Sequence, residues 1–300
     1  MANLRSVSQA EHEHEYQHEQ EHQQEREQLR TTFDGVADSY QDARPAYPPE
    51  LFDEVAHTAG LRPDSRLLEI GCGPGTATIV FAERGYAITC VEMGSRLAAQ
   101  ARRNLAGYDA VTVTEGAFET WRPADDAERF DLAYAATSWH WLDPAVRCAR
   151  VWHWLKPGGH VAIWGAVHVL AFDGDPFFIE IQQVYDEINE GIPAGTPTPR
   201  PGALPDSAAE LESSGLFTVT AVRQFDWEIT YDAEGYIRLL DTFSGHISMQ
   251  QWQRDRLYGE IRRRLAARPD GLLRRHWGAA LTVGRRLDAE RAGGARRRLD

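Results

Sequence analysis

The stretch that decides the fold is residues 67–76, which read Leu-Leu-Glu-Ile-Gly-Cys-Gly-Pro-Gly-Thr. A mainly apolar strand runs into three glycines at alternate positions, and a helical pattern begins at Thr76. Glycine in such a turn adopts backbone conformations that a Cβ hinders, and it lets a ligand approach the main chain closely. Because ligands of doubly wound α/β sheets bind at the carboxyl ends of the strands, this strand–loop–helix unit predicts a ligand site.

Strands and helices alternate around this loop. Strands are predicted at 66–70, 87–92, 110–114, 130–136 and 160–164, and the helices between them at 76–84, 95–106 and 144–155. This alternation predicts an α/β fold with a parallel sheet and helices on both faces. The alternation stops after residue 164. Helices are then predicted at 176–189, 233–240 and 252–267, and strands at 217–225, 227–231 and 276–283.

The composition suits a chain built around one large core. Of the 300 residues, 42% are hydrophobic, and no apolar run reaches the roughly 18 to 20 residues of a membrane helix. The polar N-terminus shows no signal-peptide segment. The cysteines at 72, 90 and 148 lack zinc-type spacing. We therefore expect a cytoplasmic protein with no membrane partner and no bound metal.

Charge is spread unevenly along the chain. The net charge of −13 argues against tight general binding to nucleic acid. From Trp252 to the end, however, 14 arginines stand against 6 acidic residues. A solvated helix face is one explanation of this basic segment, and contact with an anionic substrate group or an acidic partner is the other.

The N-terminal arm is of low complexity. Residues 11–28 contain only Glu, His, Gln, Tyr and Arg, with no apolar stripe to bury. The arm is predicted to be an exposed helix, a disordered segment or an element that exchanges between subunits of a homo-oligomer. His14, His18 and His22 recur at helical spacing that could present imidazoles to a metal, although a plain charged arm explains them as well.

The glycine spacing separates two classes of cofactor. A dinucleotide fingerprint has glycine where Thr76 stands, and it uses the helix N-terminus to hold a pyrophosphate. The pattern from Glu69 to Gly75 instead resembles the first motif of class I S-adenosylmethionine (SAM)-dependent methyltransferases, whose cofactor has no phosphate. The resemblance implies that Glu69 helps to anchor the amino-acid end of SAM. Glu92, 21 residues after Gly71, can accept hydrogen bonds from both ribose hydroxyls.

Further segments extend the resemblance. Residues 115–119 follow the third strand, where the family holds adenine, and 155–159 match the family's Leu-Lys-Pro-Gly-Gly turn. Residues 33–40 and 43–48 resemble the N-terminal lid of the type-11 branch, near the trans-aconitate and the ubiquinone/menaquinone-biosynthesis methyltransferases. The predicted cofactor-binding residues are Tyr40, Arg44, Glu69, Gly71, Cys72, Gly73, Gly75, Glu92, Met93, Ala117, Phe118 and Thr137.

The same resemblance implies a Rossmann-like, seven-stranded sheet of order 3-2-1-4-5-7-6, with strand 7 antiparallel and a small helical cover. The predicted organisation is an N-terminal arm at 1–30, lid helices at 31–60, a SAM-binding core at 61–172, a cover insertion at 173–210, and the remaining strands, cover helices and basic tail at 211–300.

Methyl transfer is a displacement at a sulfonium, so placement and desolvation supply much of the catalysis, and a base is needed only where the acceptor must lose a proton. His140 and His246 are the candidate general bases; alternatively, His140 packs against or caps the following helix. The predicted substrate-binding residues are Trp139, Trp141 and Ser244.

The function predicted from these residues is SAM-dependent methylation of a small apolar or aromatic metabolite, in specialised metabolism. Nine tryptophans favour such an acceptor, and their π-faces could shelter a carbocation formed by methylating a prenyl or alkene carbon. The alternative is a SAM-binding protein without transferase activity, such as a regulator or complex subunit. A nucleic-acid methyltransferase is disfavoured by the acidic charge and by Thr-Ser-Trp-His at 137–140, where an Asn-Pro-Pro-Tyr-type motif would stand.

Overall fold

The computed structural model describes residues 46–125, 129–193 and 195–288. Its first half contains α1 (Pro49–Thr58), β1 (Arg66–Ile70), α2 (Thr76–Glu83), β2 (Ala87–Glu92), α3 (Ser95–Asn104), β3 (Val111–Glu115), β4 (Phe130–Ala136), a 3₁₀ turn (Trp139–Trp141), α4 (Arg147–Trp154) and β5 (Leu155–Trp164). Its second half contains β6 (Ala166–His168), α5 (Phe177–Glu180), α6 (Gln182–Glu187), α7 (Ala208–Ser213), β7 (Phe217–Tyr231), α8 (Ala233–Leu240), α9 (Ser244–Ser248), α10 (Gln251–Ala266) and β8 (Leu273–Arg286).

The strands form one sheet of order β3-β2-β1-β4-β5-β8-β6, with β7 also paired to β8. The first five strands are parallel, and β8 runs antiparallel to β5, β6 and β7. All five parallel strands therefore end at the same edge, where their connecting loops can share one ligand.

The predicted fold class and the predicted strand order are confirmed, and the sheet has one strand more than the seven expected. The extra strand, β6, has three residues, which is too short to show an alternating pattern. The predicted strands at 217–225 and 227–231 are one continuous strand. Asp226 disfavours a strand locally, but its backbone pairs with Gly278 and its side chain points to the exposed side.

Two apolar layers cover the two faces of the sheet. Successive residues of β1 face opposite sides: Leu67 joins the layer that contains Phe81 of α2, and Leu68 joins the layer that contains Trp154 of α4. The ring of Tyr134 stacks on Trp164 at a centroid distance of 5.6 Å. This burial on both faces explains why the central strands β1 and β4 are mostly apolar.

A third apolar cluster lies under the helices that were predicted to form a cover. It joins α5, α6, α8 and α10 to Leu273 and Trp277 of β8. Ala166 and Phe243 pack against its edge. The helices from the two separate predicted segments therefore share one interior.

No helix among the described residues is long and apolar enough to cross a membrane. The predicted lid residues Tyr40 and Arg44 lie outside the described residues, as do the N-terminal arm and the tail beyond residue 288. The division of the chain into predicted segments remains a prediction.

Candidate cofactor and acceptor site

The glycine loop is held in a shape that depends on its glycines. Gly71 has a φ of +68°, and a Cβ there would lie 2.7 Å from the Cβ of Ser138. Gly75, with a φ of +94°, approaches Leu105 in the same way, at 3.1 Å. From α3, the side-chain amide of Asn104 donates to the Pro74 carbonyl at 2.7 Å. Close packing therefore fixes the loop, and larger residues at 71 and 75 would displace their neighbours.

Glu92, at the end of β2, is fixed by the loop that it faces. Its Oε2 accepts from the Gly73 N–H at 2.8 Å, and its Oε1 accepts from the Gly94 N–H, also at 2.8 Å. A carboxylate oxygen carries two lone pairs and can accept more than one hydrogen bond. Since Glu92 is only 8% exposed and lines a cavity, its geometry fits the binding of a diol such as the SAM ribose.

This cavity opens at the carboxyl ends of the parallel strands. Its lining includes ten of the predicted site residues, namely Glu69, Gly71, Cys72, Gly73, Glu92, Met93, Ala117, Phe118, Thr137 and Trp141. Other lining residues were not predicted, among them Tyr47, Thr76, Leu97, Ser138, Leu142 and Ala166. Gly75, at the N-cap of α2, shapes the loop without lining the cavity.

Thr137 joins three segments at the end of β4. Its φ is +59°, in the left-handed region that few non-glycine residues adopt. Its Oγ1 accepts from the Ala166 N–H at 3.2 Å and shares a hydrogen bond with the Tyr47 hydroxyl at 2.6 Å. Its own N–H donates to the Trp164 carbonyl at 2.7 Å. These contacts hold a strained residue in the cavity wall, as is typical of functional sites.

Glu69 lies at the inner end of the cavity and is 1% exposed. Its Oε2 accepts hydrogen bonds from Thr78 and from Tyr134, the latter at 2.7 Å. Burial raises the pKa of this carboxyl to about 7, and the two hydrogen bonds offset only part of that effect. A protonated Glu69 is therefore favoured at a higher pH than a solvent-exposed glutamate, because burial penalises the charged form.

The structure places Trp139 away from the cavity. It is 5% exposed, and its Nε1 donates to the carboxylate of Glu210 at 3.1 Å. The Arg147 guanidinium lies 5.0 Å from the centre of the ring and pairs with Glu210 at 2.6 Å. Trp139 thus packs in a closed polar cluster, whereas Trp141, two residues later, lines the cavity.

Neither candidate base lines the cavity. His140 is exposed, with its ring centre 4.6 Å from that of Trp141. His246, on α9, shares a hydrogen bond between its Nε2 and the Tyr185 hydroxyl at 2.8 Å, and burial lowers its pKa to about 4. Ser244 begins the same short helix and is also outside the lining. The catalytic roles of both histidines and the substrate contact of Ser244 remain predictions.

The cavity-lining residues that were not predicted differ in how clearly the sequence marks them. Tyr47 lies within the segment that resembles the family's lid, so its presence at the cavity could have been inferred. Ser138 follows the end of β4 and Ala166 follows the end of β5, at the sheet edge where ligands of this fold bind. No motif marks Leu97, which reaches the cavity through the placement of α3.

The strand order and the cavity match the Rossmann-like fold that class I methyltransferases share. Residues 68–163, about a third of the chain, match the family model described as a methyltransferase domain. The class uses SAM as its methyl donor, and the residues at the glycine loop and Glu92 fit that cofactor. Among the described residues, no group of His, Cys, Asp or Glu side chains is arranged to hold a metal.

An uncharacterized methyltransferase of Mycobacterium tuberculosis is 27% identical over 157 residues, which cover 48% of this chain and 61% of the relative. The chain thus spans about three fifths of the length of that relative. An rRNA adenine N-6-methyltransferase of Saccharopolyspora erythraea is 36% identical over 86 residues, covering 28% of this chain and 23% of the relative. A solved structure of a candidate type II methyltransferase from Anaeromyxobacter dehalogenans shares the fold, with a TM-score of 0.55 and 24% identity over 81% of this chain and 97% of its own.

Proposed function

We propose that the protein transfers a methyl group from SAM to a small-molecule acceptor. The observation that carries this proposal is the position of Glu92, whose two carboxylate oxygens are each aligned by a backbone N–H beside the glycine loop. Bound SAM would supply an electrophilic methyl group on a sulfonium. The protein's residues then need only to hold the cofactor, orient the acceptor and exclude water.

The cofactor is held along the ends of β1, β2 and β3. Glu92 accepts from the ribose, and Met93 and Leu97 give an apolar surface beside it. Ala117 and Phe118 line the part of the cavity after β3, where the class holds adenine. The Phe118 ring is supported from behind by the Arg150 guanidinium, 5.8 Å from its centre.

The acceptor faces the end of β4. Tyr47, Trp141, Leu142 and Ala166 make this part of the cavity aromatic and apolar, which supports an apolar or aromatic acceptor such as those of specialised metabolism. An aromatic wall could also stabilise a cationic intermediate formed by methylation of an alkene carbon. The net charge of −13 favours a small molecule over a nucleic acid. A cytoplasmic location and an oligomer formed through the N-terminal arm remain predictions.

Calorimetry with Glu92→Gln tests the cofactor site. An amide has one carbonyl oxygen, so the variant can accept from Gly73 or Gly94 but not from both. We expect the Kd for SAM to rise by about 10- to 100-fold, since hydrogen bonds to a charged group are involved. Methyl transfer is followed separately as S-adenosylhomocysteine formation across a panel of small aromatic acceptors.

The matched control is Glu115→Gln. Glu115 ends β3 directly beside Glu92 in the sheet register, but it is exposed and outside the cavity lining. This variant should change the Kd for SAM by less than about threefold. Binding of NAD in place of SAM, or equal effects of the two substitutions, would contradict the proposal.

A further inference from the structure

Arg275 is a buried cation inside the third apolar cluster. It lies on β8 and is 5% exposed. Its guanidinium carbon lies within 4.5 to 5.7 Å of the ring centres of Trp277, Tyr236, Phe243 and Phe178. The aromatic faces attract the cation and partly replace the water that it has lost. They offer no lone pairs for its N–H groups, however.

Among the residues that the structure describes, Arg275 has no acidic partner for its charge. Its Nη1 donates to the Tyr236 hydroxyl at 3.1 Å, and its Nε has no hydrogen-bond partner in the part of the chain that the structure describes. No Asp or Glu of the described ranges pairs with it. Its neighbours behave differently: Arg274 lies 3.7 Å from Glu228, and Arg268 pairs with Asp175 at 2.6 Å. A buried guanidinium with five donors and no anion is costly unless something else pairs with it.

The groups around Arg275 do not add to its charge. Burial, together with the nearby guanidinium, lowers the pKa of His168 to about 3 and that of His246 to about 4. Both imidazoles are therefore neutral at physiological pH. His168 Nε2 and His246 Nδ1 are further buried polar atoms without partners among the described residues. The cluster thus offers one positive charge and several neutral hydrogen-bonding groups.

The sheet register connects this cluster to the methyltransferase cavity. Ala166 lines the cavity and pairs with Ala279, and His168 pairs with Trp277. Alternate residues of a strand share a face, so Ala279, Trp277 and Arg275 follow one another on the same side of β8. Arg275 lies four positions before Ala279 along β8, which corresponds to about 13 Å of strand. Arg275 therefore lies within the length of one small molecule from the cavity wall.

We infer that Arg275 binds a carboxylate of the methyl acceptor, whose unsaturated or aromatic body extends from the aromatic cluster toward Ala166 and the cavity. This inference rests on the proposed methyltransferase function and narrows its substrate to an organic acid. A guanidinium pairs with a carboxylate through two parallel hydrogen bonds, and the Nε edge is the one without a partner. One positive charge balances a monoanion, whereas a phosphate dianion would leave a buried negative charge.

Calorimetry on the full chain saturated with S-adenosylhomocysteine tests the inference. The probes are trans-cinnamate and benzoate, their neutral amides, and phenyl phosphate. We expect the carboxylates to bind at least tenfold more tightly than the matching amides and than phenyl phosphate. Arg275→Met should weaken carboxylate binding by about 30-fold or more, because it removes the partner of a buried charge, while the Kd for S-adenosylhomocysteine stays unchanged.

Arg274→Gln is the matched control, since it removes an exposed arginine from the next position of the same strand. It should leave carboxylate binding unchanged, and Arg275→Lys should give an intermediate loss because it keeps the charge without the bidentate geometry. Equal affinities for acids and amides, tighter binding of phenyl phosphate, no binding of any probe at millimolar concentration, or an unaltered Kd in Arg275→Met would each overturn the inference. Failure to bind S-adenosylhomocysteine at all would instead contradict the proposed function.

Discussion

The glycine loop makes a sharp stability prediction for the pair Gly71→Ala and Gly73→Ala. Both positions have left-handed backbones, with φ of +68° and +55°, so each alanine costs about 1 kcal/mol from backbone strain alone. A Cβ at 73 would meet no atom within 4 Å, whereas a Cβ at 71 would lie 2.7 Å from the Cβ of Ser138. The two variants therefore share the cost of backbone strain. They differ in the steric clash with Ser138, which only Gly71→Ala introduces.

The additional cost at position 71 comes from Ser138. This buried residue donates its hydroxyl to the Ile70 carbonyl, and it must shift to make room for the new methyl group. Loss of a buried hydrogen bond costs about 1 to 3 kcal/mol. We therefore expect Gly71→Ala to lower the free energy of unfolding by about 3 kcal/mol and Gly73→Ala by about 1 kcal/mol.

Urea unfolding followed by tryptophan fluorescence measures both values. Ser138→Gly in the Gly71→Ala background should lower the free energy of unfolding little further. Gly71→Ala has by then already displaced Ser138 and broken its hydrogen bond to the Ile70 carbonyl. Equal destabilisation by the two alanines would refute the packing argument. Additive effects of the changes at 71 and 138 would refute it as well.

The remaining predictions concern a titrating group and a hydrogen bond. The folded-state pKa of Glu69 is raised from 4.5 to about 7, so the folded state binds the extra proton and stability falls as pH rises through this interval. The free energy of unfolding of Glu69→Gln should lack this fall, which is on the order of 3 kcal/mol. If wild type and variant gave parallel profiles of unfolding free energy against pH, the raised pKa of Glu69 would be contradicted. Tyr47→Phe should cost about 1 kcal/mol of unfolding free energy through its lost bond to Thr137. The same change should cost almost nothing in a Thr137→Val background, whereas an equal loss there would show that the bond contributes nothing.

The parallel half of the molecule could be predicted closely because its signals are local. The strand at Arg66–Ile70 has the predicted bounds, and Glu92 lies at the end of β2 as its position after an apolar run requires. Turn glycines and strand periodicity depend on neighbouring residues only, so a single sequence reveals them. The start of β5 and both ends of β8 could not be placed in this way, because β5 is extended by its pairing with β4 and β8 by its pairing with β7.

The side chains at the acceptor end of the site depend on contacts that no local pattern encodes. Trp139 and Trp141 flank the same histidine, yet only Trp141 lines the cavity, because Trp139 is turned toward Glu210, which lies 71 residues further along the chain. A similar limit applies to His246, whose partner Tyr185 comes from another predicted segment. Residue type and spacing identify candidates in such a region, and tertiary packing selects among them.

The excess of arginines in the basic C-terminal segment has two explanations: a solvated surface, and contact with an anionic group. They apply to different arginines of the segment. Most of its described arginines lie on α10 or at exposed positions of β8, and several pair with acidic residues, such as Arg262 with Glu234. For these the solvated face is the right explanation. Arg275 departs from it, because strand alternation turns this one side chain inward beside Trp277, where water cannot compensate its charge. The net charge of the whole segment does not distinguish Arg275 from the exposed arginines. The register of β8 against β6 and β7 does distinguish it, and under our inference Arg275 is the cation that an anionic acceptor would meet.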